Sequence, residues 1–359
     1  MDFSKVKTIG RTYLLDDKLF MNFSGSGVIF KMKGNKLIIK LFATKYDNDT
    51  NRPYISVIIN EVRKDYALTE EHNIIEINLT DQLNTVEILK RTESSVSFVA
   101  IEDIIVDEFI NYEFMDKLKI EFFGDSITCG YGNLCDNPEE GFTTKTESFL
   151  EGYAYLTTKK LDALYSAICV SGFPIYKARW NLSFPIESVA DMLSISAYSE
   201  ELTLKTAQVW DNSQYIPDVV VVNLGTNDCS YFTEGQSWVD ELVKEYNGFE
   251  NVLKLDVFKN ELNNLRLKII SFLDNLFKMY KDVKVVWALG MLEINPHVQE
   301  VFDEALKNYN NPNLYQFTFT SLQKSSGRGA AWHPSSQMHI DASNELSEFI
   351  KDVVLGGVK

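Results

Sequence analysis

Up to about residue 112, apolar side chains recur at every second position over short stretches. Leu37, Ile39 and Leu41 form one such row, and Ile55, Val57 and Ile59 another. This is the period of a strand with one buried face. Rows of this kind predict strands at Thr12–Leu15, Val28–Lys33, Lys36–Phe42, Tyr54–Ile59, Asn73–Asn78, Asn84–Arg91 and Val96–Ile105. Turn-rich stretches such as Gly25-Ser-Gly and Tyr46-Asp-Asn-Asp-Thr-Asn-Arg-Pro separate them, with no helical period between. Many short strands spaced by turn chemistry predict an antiparallel sandwich of the jelly-roll kind.

From Asp116 the pattern changes. Compact apolar runs at Leu118–Phe123, Tyr165–Val170, Val219–Asn223, Val283–Leu289 and Leu314–Phe319 alternate with helical patterns. The clearest helix carries Phe258, Leu262, Leu265, Ile269, Phe272, Leu276 and Tyr280 at steps of three and four, an unbroken apolar stripe. Five such strands alternating with helices predict a parallel sheet covered on both faces. The boundary is expected near Asn111–Asp116, giving a β-sandwich domain over residues 1–112 and an α/β domain over 113–359.

Composition narrows the function classes. The 359 residues carry 35 basic and 51 acidic side chains, a net charge of −16. Such a chain repels phosphate backbones and anionic lipid surfaces, so neither nucleic acid nor membrane is an expected partner. The N-terminal Met-Asp-Phe-Ser-Lys-Val-Lys has no apolar core of a leader peptide, which gives a cytoplasmic location as the expectation. Cys129, Cys135, Cys169 and Cys229 lack metal-type spacing and are read as reduced thiols.

Candidate chemistry gathers at strand ends. The strand in Ile120-Glu-Phe-Phe runs directly into Gly124-Asp125-Ser126, which puts the serine at the carboxyl edge of the sheet, where open α/β sheets hold their ligands. The next strand ends in Ser171-Gly172-Phe173, and the third in Gly225-Thr226-Asn227-Asp228. Near the C-terminus stands Ala330-Ala331-Trp332-His333-Pro334, before a helix expected around Asp341–Val353. Each piece alone reads as an ordinary turn or surface loop. Together, in this order on one sheet, they supply a nucleophile (Ser126), a base (His333) and three oxyanion donors, namely the Ser126 N–H, the Gly172 N–H and the Asn227 side chain. Asp125 is expected to brace its turn. Trp332 and Tyr131 are the aromatics expected to meet substrate, with Tyr176, Trp180 and Tyr231 as further candidates.

These four blocks resemble those that name the SGNH, or GDSL, hydrolases. The run Val209-Trp-Asp-Asn-Ser-Gln-Tyr-Ile-Pro-Asp-Val-Val-Val-Val-Asn-Leu-Gly-Thr-Asn-Asp, Trp332-His-Pro-Ser and the strand-rich first domain resemble carbohydrate esterase family two. The resemblance implies a jelly roll joined to a flavodoxin-like SGNH domain. It also implies an acetyl esterase acting on acetylated sugars, xylo-oligosaccharides or related plant polysaccharide fragments, needing neither metal nor organic cofactor. Two alternatives share the sequence: a lipid or thioester hydrolase, and a carbohydrate-binding descendant. One departure stands out. SGNH enzymes usually carry an Asp two or three residues before the histidine, where this chain has Ala331 and Ala330. A Ser-His dyad, with a backbone carbonyl replacing the acid, is the expectation here. The first domain is open to three roles: binding carbohydrate, walling the cleft, or forming a homo-oligomer contact.

Overall fold

The alternating rows of the first domain form nine strands in the computed structural model: β1 (Lys7–Ile9), β2 (Thr12–Leu15), β3 (Lys18–Met21), β4 (Gly27–Ala43), β5 (Tyr54–Ile59), β6 (Val62–Ala67), β7 (His72–Asn78), β8 (Leu83–Lys90) and β9 (Val99–Ile110). The structure describes residues 1–357 other than 46, 47, 49, 115, 180–209, 234–237 and 321–326. Trp180 therefore lies outside the described residues. The strands pair antiparallel in the order β2-β3-β9-β4-β8-β5-β6, with β1 and β7 also on β4. Strand β4 makes the sheet curl on itself. Its first half pairs with β8 and its second with β7, while β9 follows it through register shifts at Lys33/Leu37 and Lys40/Leu41. Such irregularities bend and twist a strand, so one continuous sheet encloses Val28, Phe30, Leu37, Ile39, Leu41, Val86 and Ile101 as a core.

The structure thus fuses the two strands expected at 28–33 and 36–42, and adds three that the pattern missed. β1 is too short to show a period, and β3 alternates in burial but reads Lys-Leu-Phe-Met, where three consecutive apolar residues hide the alternation. β6 reads Val-Arg-Lys-Asp-Tyr-Ala, with no fully buried position.

The second domain has a five-stranded parallel sheet: β10 (Lys119–Gly124), β11 (Leu164–Cys169), β12 (Val219–Asn223), β13 (Lys284–Leu289) and β14 (Leu314–Thr318). The order β11-β10-β12-β13-β14 is the flavodoxin-like winding, whose ligand crevice opens where the order reverses, at the carboxyl ends of the first and third strands. Here those are β10 and β12. Val219–Asn223 is buried throughout because helices cover both faces, and the helix Asp256–Met279 supplies Phe258, Leu265, Ile269, Phe272 and Leu276 to one layer. The architecture changes between Ile110 and Lys119. Across it, buried Arg11 of the first domain pairs with buried Glu121 on β10 at 3.3 Å, and Tyr165 donates to the Gly25 carbonyl at 2.8 Å. Among the described residues no helix is long and apolar enough to cross a membrane.

Candidate active site

Ser126 begins the short helix Ser126–Cys129, directly after β10, and is buried. Asp125 caps that helix: its Oδ1 accepts from the Ile127 N–H at 3.0 Å, and its Oδ2 from Asn227 Nδ2 at 3.0 Å. The brace expected of Asp125 is thus built from two bonds. Gly124 must be glycine, because a Cβ there would sit 1.9 Å from Thr128 Oγ1.

His333 arrives from the C-terminal loop, and its Nε2 lies 3.0 Å from Ser126 Oγ. Its Nδ1 lies 3.0 Å from the Ala331 carbonyl oxygen. A carbonyl only accepts, so Nδ1 carries the proton and Nε2 is left as the acceptor facing the serine. Burial holds the imidazole down to about 4, against the opposing pull of the carbonyl bonds. It is therefore neutral at neutral pH, the form a general base requires.

The carbonyl is aimed by a strained turn. Ala331 (φ 50°) and Trp332 (φ 63°) both take left-handed backbone, at a cost of roughly 1–3 kcal/mol each that persists only where the surroundings enforce it. Four backbone bonds enforce it: Ala330 N–H to Gly132 O, Ala331 N–H to Glu140 O, His333 N–H to Ala330 O and Gly329 N–H to His333 O. The first two tie the histidine loop to the segment that follows the nucleophile. Gly132 permits that contact, since a Cβ there would meet the Ala330 backbone oxygen at 2.9 Å. Asp341, the nearest acid after the histidine, accepts from Gln337.

The remaining candidates are placed as follows. Gly172 lies in the turn after β11, at φ 82°. Asn227 lies just inside the helix after β12, and its Nδ2 donates to Asp125 Oδ2 and to Phe173 O at 3.1 Å. It thus joins the residue before Ser126 to the residue after Gly172. Both amide hydrogens are engaged in this state. Tyr131 stacks on Phe142 at 3.9 Å and leans against the His333 ring at 4.3 Å, so it packs beside the imidazole. Trp332 is 57% exposed. Tyr176 and Tyr231 donate to Glu261, and their rings meet edge to face.

Two carboxylates escaped the sequence reading. Asp228 accepts from the N–H groups of Ile175, Tyr176 and Lys177. Burial lifts its acid to about 7, and lifts Asp125 to about 7 as well, with the neighbouring Asp228 charge adding to the latter. Glu93, from the first domain, accepts from the Ser171 N–H. Asp228 stands inside a recognised block, but nothing local in Arg-Thr-Glu-Ser marks Glu93. Among the described residues, Glu93, Cys129 and Glu147 form the one group whose ligand atoms lie as near to one another as a metal would require, within 4.8 Å. No disulfide joins the four cysteines, all of which are buried.

The chain thus joins a curled β-domain to a flavodoxin-like sheet with a serine–histidine pair at its switch point. Residues 120–346 match the GDSL-like lipase/acylhydrolase family, and the chain belongs to it. Residues 8–110 match the carbohydrate esterase 2 N-terminal domain. Cellulase/esterase CelE of Acetivibrio thermocellus is 29% identical over 280 residues, which are 73% of this chain and 29% of CelE. The chain thus spans under a third of that relative. An acetylxylan esterase / glucomannan deacetylase of Cellvibrio japonicus is 22% identical, over 97% of this chain and 89% of its own length. Among solved structures, a family two carbohydrate esterase from Clostridium thermocellum in complex with cellohexaose superposes with a TM-score of 0.80 (22% identity, 98% of this chain and 100% of that one). An acetyl xylan esterase from Butyrivibrio proteoclasticus gives 0.79 (21% identity, 100% and 98%).

Proposed function

We propose that the chain is a serine esterase that removes O-acetyl groups from acetylated sugars, such as xylo-oligosaccharides and related plant polysaccharide fragments. The observation that carries this reading is the line Ala331 O–Nδ1–His333–Nε2–Ser126 Oγ, with 3.0 Å at each end. The names borne by its relatives support the acetyl-sugar part.

In the first step His333 Nε2 takes the Ser126 hydroxyl proton as Oγ attacks the acetyl carbonyl. The new imidazolium keeps its Nδ1–H on the Ala331 carbonyl, which steadies it with a dipole where an Asp would use a charge. The tetrahedral oxyanion rests on the Ser126 and Gly172 N–H groups. Asn227 joins them by exchanging one of its two resting acceptors for the oxyanion. The C–O bond to the sugar then breaks, His333 returns the proton to the departing sugar oxygen, and acetyl remains on Ser126. Water repeats the sequence and releases acetate. Trp332, exposed beside the base, offers a face on which a sugar ring stacks, and Tyr131 lines the same rim behind the imidazole.

Acyl-chain preference tests this reading. The protein is expected to release acetate from acetylated xylo-oligosaccharides at least about 100-fold faster than it cleaves a long-chain acyl ester, a difference of roughly 3 kcal/mol in the transition state. A preference for the long chain would point to a lipid or thioester hydrolase. Sugar binding without acetate release would point to a carbohydrate-binding protein.

A further inference from the structure

The three donors assigned to the oxyanion include Gly172, whose turn leaves β11 without regular secondary structure to hold it. Buried carboxylates grip that turn on both sides. Downstream, Asp228 accepts from the N–H groups of Ile175, Tyr176 and Lys177 at 2.8–3.2 Å. Upstream, Glu93 Oε2 accepts from the Ser171 N–H at 2.7 Å, and the same oxygen receives the Cys129 thiol at 3.8 Å. One carboxylate oxygen of the first domain therefore touches both the residue before Gly172 and the helix that opens with Ser126.

Glu93 is itself fixed on every side. It is 1% exposed. Its N–H donates to Glu147 Oε2 at 3.1 Å, and its carbonyl accepts from Lys90 Nζ at 2.6 Å. The Lys90 ammonium also serves the Asn22 and Ser97 carbonyls at 2.8 and 2.9 Å. Glu93 Oε2 and Glu147 Oε2 each accept a backbone N–H group, and Lys90 and Arg91 stand beside the two carboxyl groups.

We propose that Glu93, delivered by the first domain, is a positioning residue for the oxyanion turn: it fixes the Ser171 amide and so directs the N–H of Gly172. This gives the first domain a part in the chemistry, and it rests on the esterase reading above. A buried carboxylate accepting an N–H makes a charge-assisted bond, roughly twice as strong as a neutral one, and a misdirected oxyanion donor loses much of its effect.

The test uses Glu93→Ala, Glu93→Asp and Glu93→Gln in the full chain. Glu93→Asp keeps the charge of the buried cluster, and so keeps the test usable should Glu93→Ala fail to fold, but withdraws the oxygen from Ser171. Glu93→Gln keeps an acceptor in place. Kinetics on p-nitrophenyl acetate are expected to show kcat lowered roughly ten- to a hundredfold in the Ala and Asp variants, with KM within about threefold, and most of kcat kept in the Gln variant. This loss is smaller than the ~10²–10³ of a deleted donor. Amide hydrogen exchange, read without reference to activity, is expected to speed up at least about tenfold at 171–173 in the Asp variant, while 175–177 keeps the protection given by Asp228. Unchanged exchange at 171–173, or a kcat at the parent level, overturns the proposal. A parent without esterase activity whose variants show the exchange change would strike down the esterase reading and leave the clamp standing.

Discussion

The Nδ1 of His333 lies 3.0 Å from the carbonyl oxygen of Ala331, two residues before it in the chain. This contact takes up the Nδ1 proton and leaves Nε2 facing Ser126 Oγ. It depends on an alanine held at φ 50° and ψ 36°. The imidazole is thus oriented by backbone shape.

Backbone shape is sensitive to one kind of substitution in particular. Proline cannot reach a positive φ and has no N–H for the Glu140 carbonyl, to which Ala331 donates at 2.8 Å. Ala331→Pro is expected to lower kcat/KM by about 100-fold or more. Ala331→Gly, which adopts the same φ without strain, is expected to stay within about threefold of the parent. Equal losses in the two would show that the turn does not set the base.

Desolvation of His333 predicts the acid limit of activity. Its pKa is pushed down to about 4, below the ordinary 6.5, so the base stays neutral through mildly acidic pH. The kcat/KM profile is expected to hold down to about pH 4–5 and fall below that. A limb near pH 6.5 would mean that the imidazole is as well hydrated as in a free peptide.

Stability should have its own pH dependence, from the second histidine of this region. His339 is fully buried and its Nδ1 accepts from the Tyr153 N–H at 3.0 Å. Burial pushes its pKa down to about 3, with His333 adding to the effect. Below about 6.5 the unfolded chain takes up a proton that the folded chain refuses, so stability falls as pH drops from 6.5 towards 3. Urea titrations should show about 1.6 kcal/mol lost to this group between pH 6.5 and 5, the slope steepening towards ~1.4 kcal/mol per pH unit as the unfolded histidine becomes fully protonated. Subtracting the same titration of His339→Gln, which keeps an acceptor for Tyr153 without a titrating ring, isolates that loss. Parallel curves would refute the assignment.

Under the esterase reading, Trp332 is expected to separate sugar recognition from ester chemistry. Removing a stacked ring gives up about 1 kcal/mol. Trp332→Ala is therefore expected to raise KM for acetylated xylo-oligosaccharide about five- to tenfold, and to leave p-nitrophenyl acetate within about twofold. Loss on both substrates would mean that the ring supports the His333 turn instead.

Much of this site could be read from the sequence because its pieces stand at strand ends, where an apolar run stops against a polar turn. Val219–Asn223 was bounded to the residue, and the same logic marked Ser126 and Asn227. The C-terminal helix starts earlier than its apolar pattern suggests. Ser335 caps it by accepting from the Met338 N–H, which places His339 inside it and buried. Glu93 left no trace in the pattern, and although a backbone carbonyl was the expected partner of His333, nothing marked Ala331 as its source. One acts across domains, through a partner 78 residues away. The other acts through an atom that every residue possesses, made useful only by a φ that the tertiary contacts impose.

The central claim is that Ser126 and His333 form the working pair. It is tested most directly by initial rates of p-nitrophenyl acetate hydrolysis for the parent, Ser126→Ala and His333→Ala, with the folding of each checked by thermal melting. The account predicts a parent that turns over and two folded variants that each lose at least about 10⁴-fold in kcat/KM, as expected when one member of a catalytic unit is removed. An inactive parent, or a folded variant that keeps the parent's rate, would contradict it.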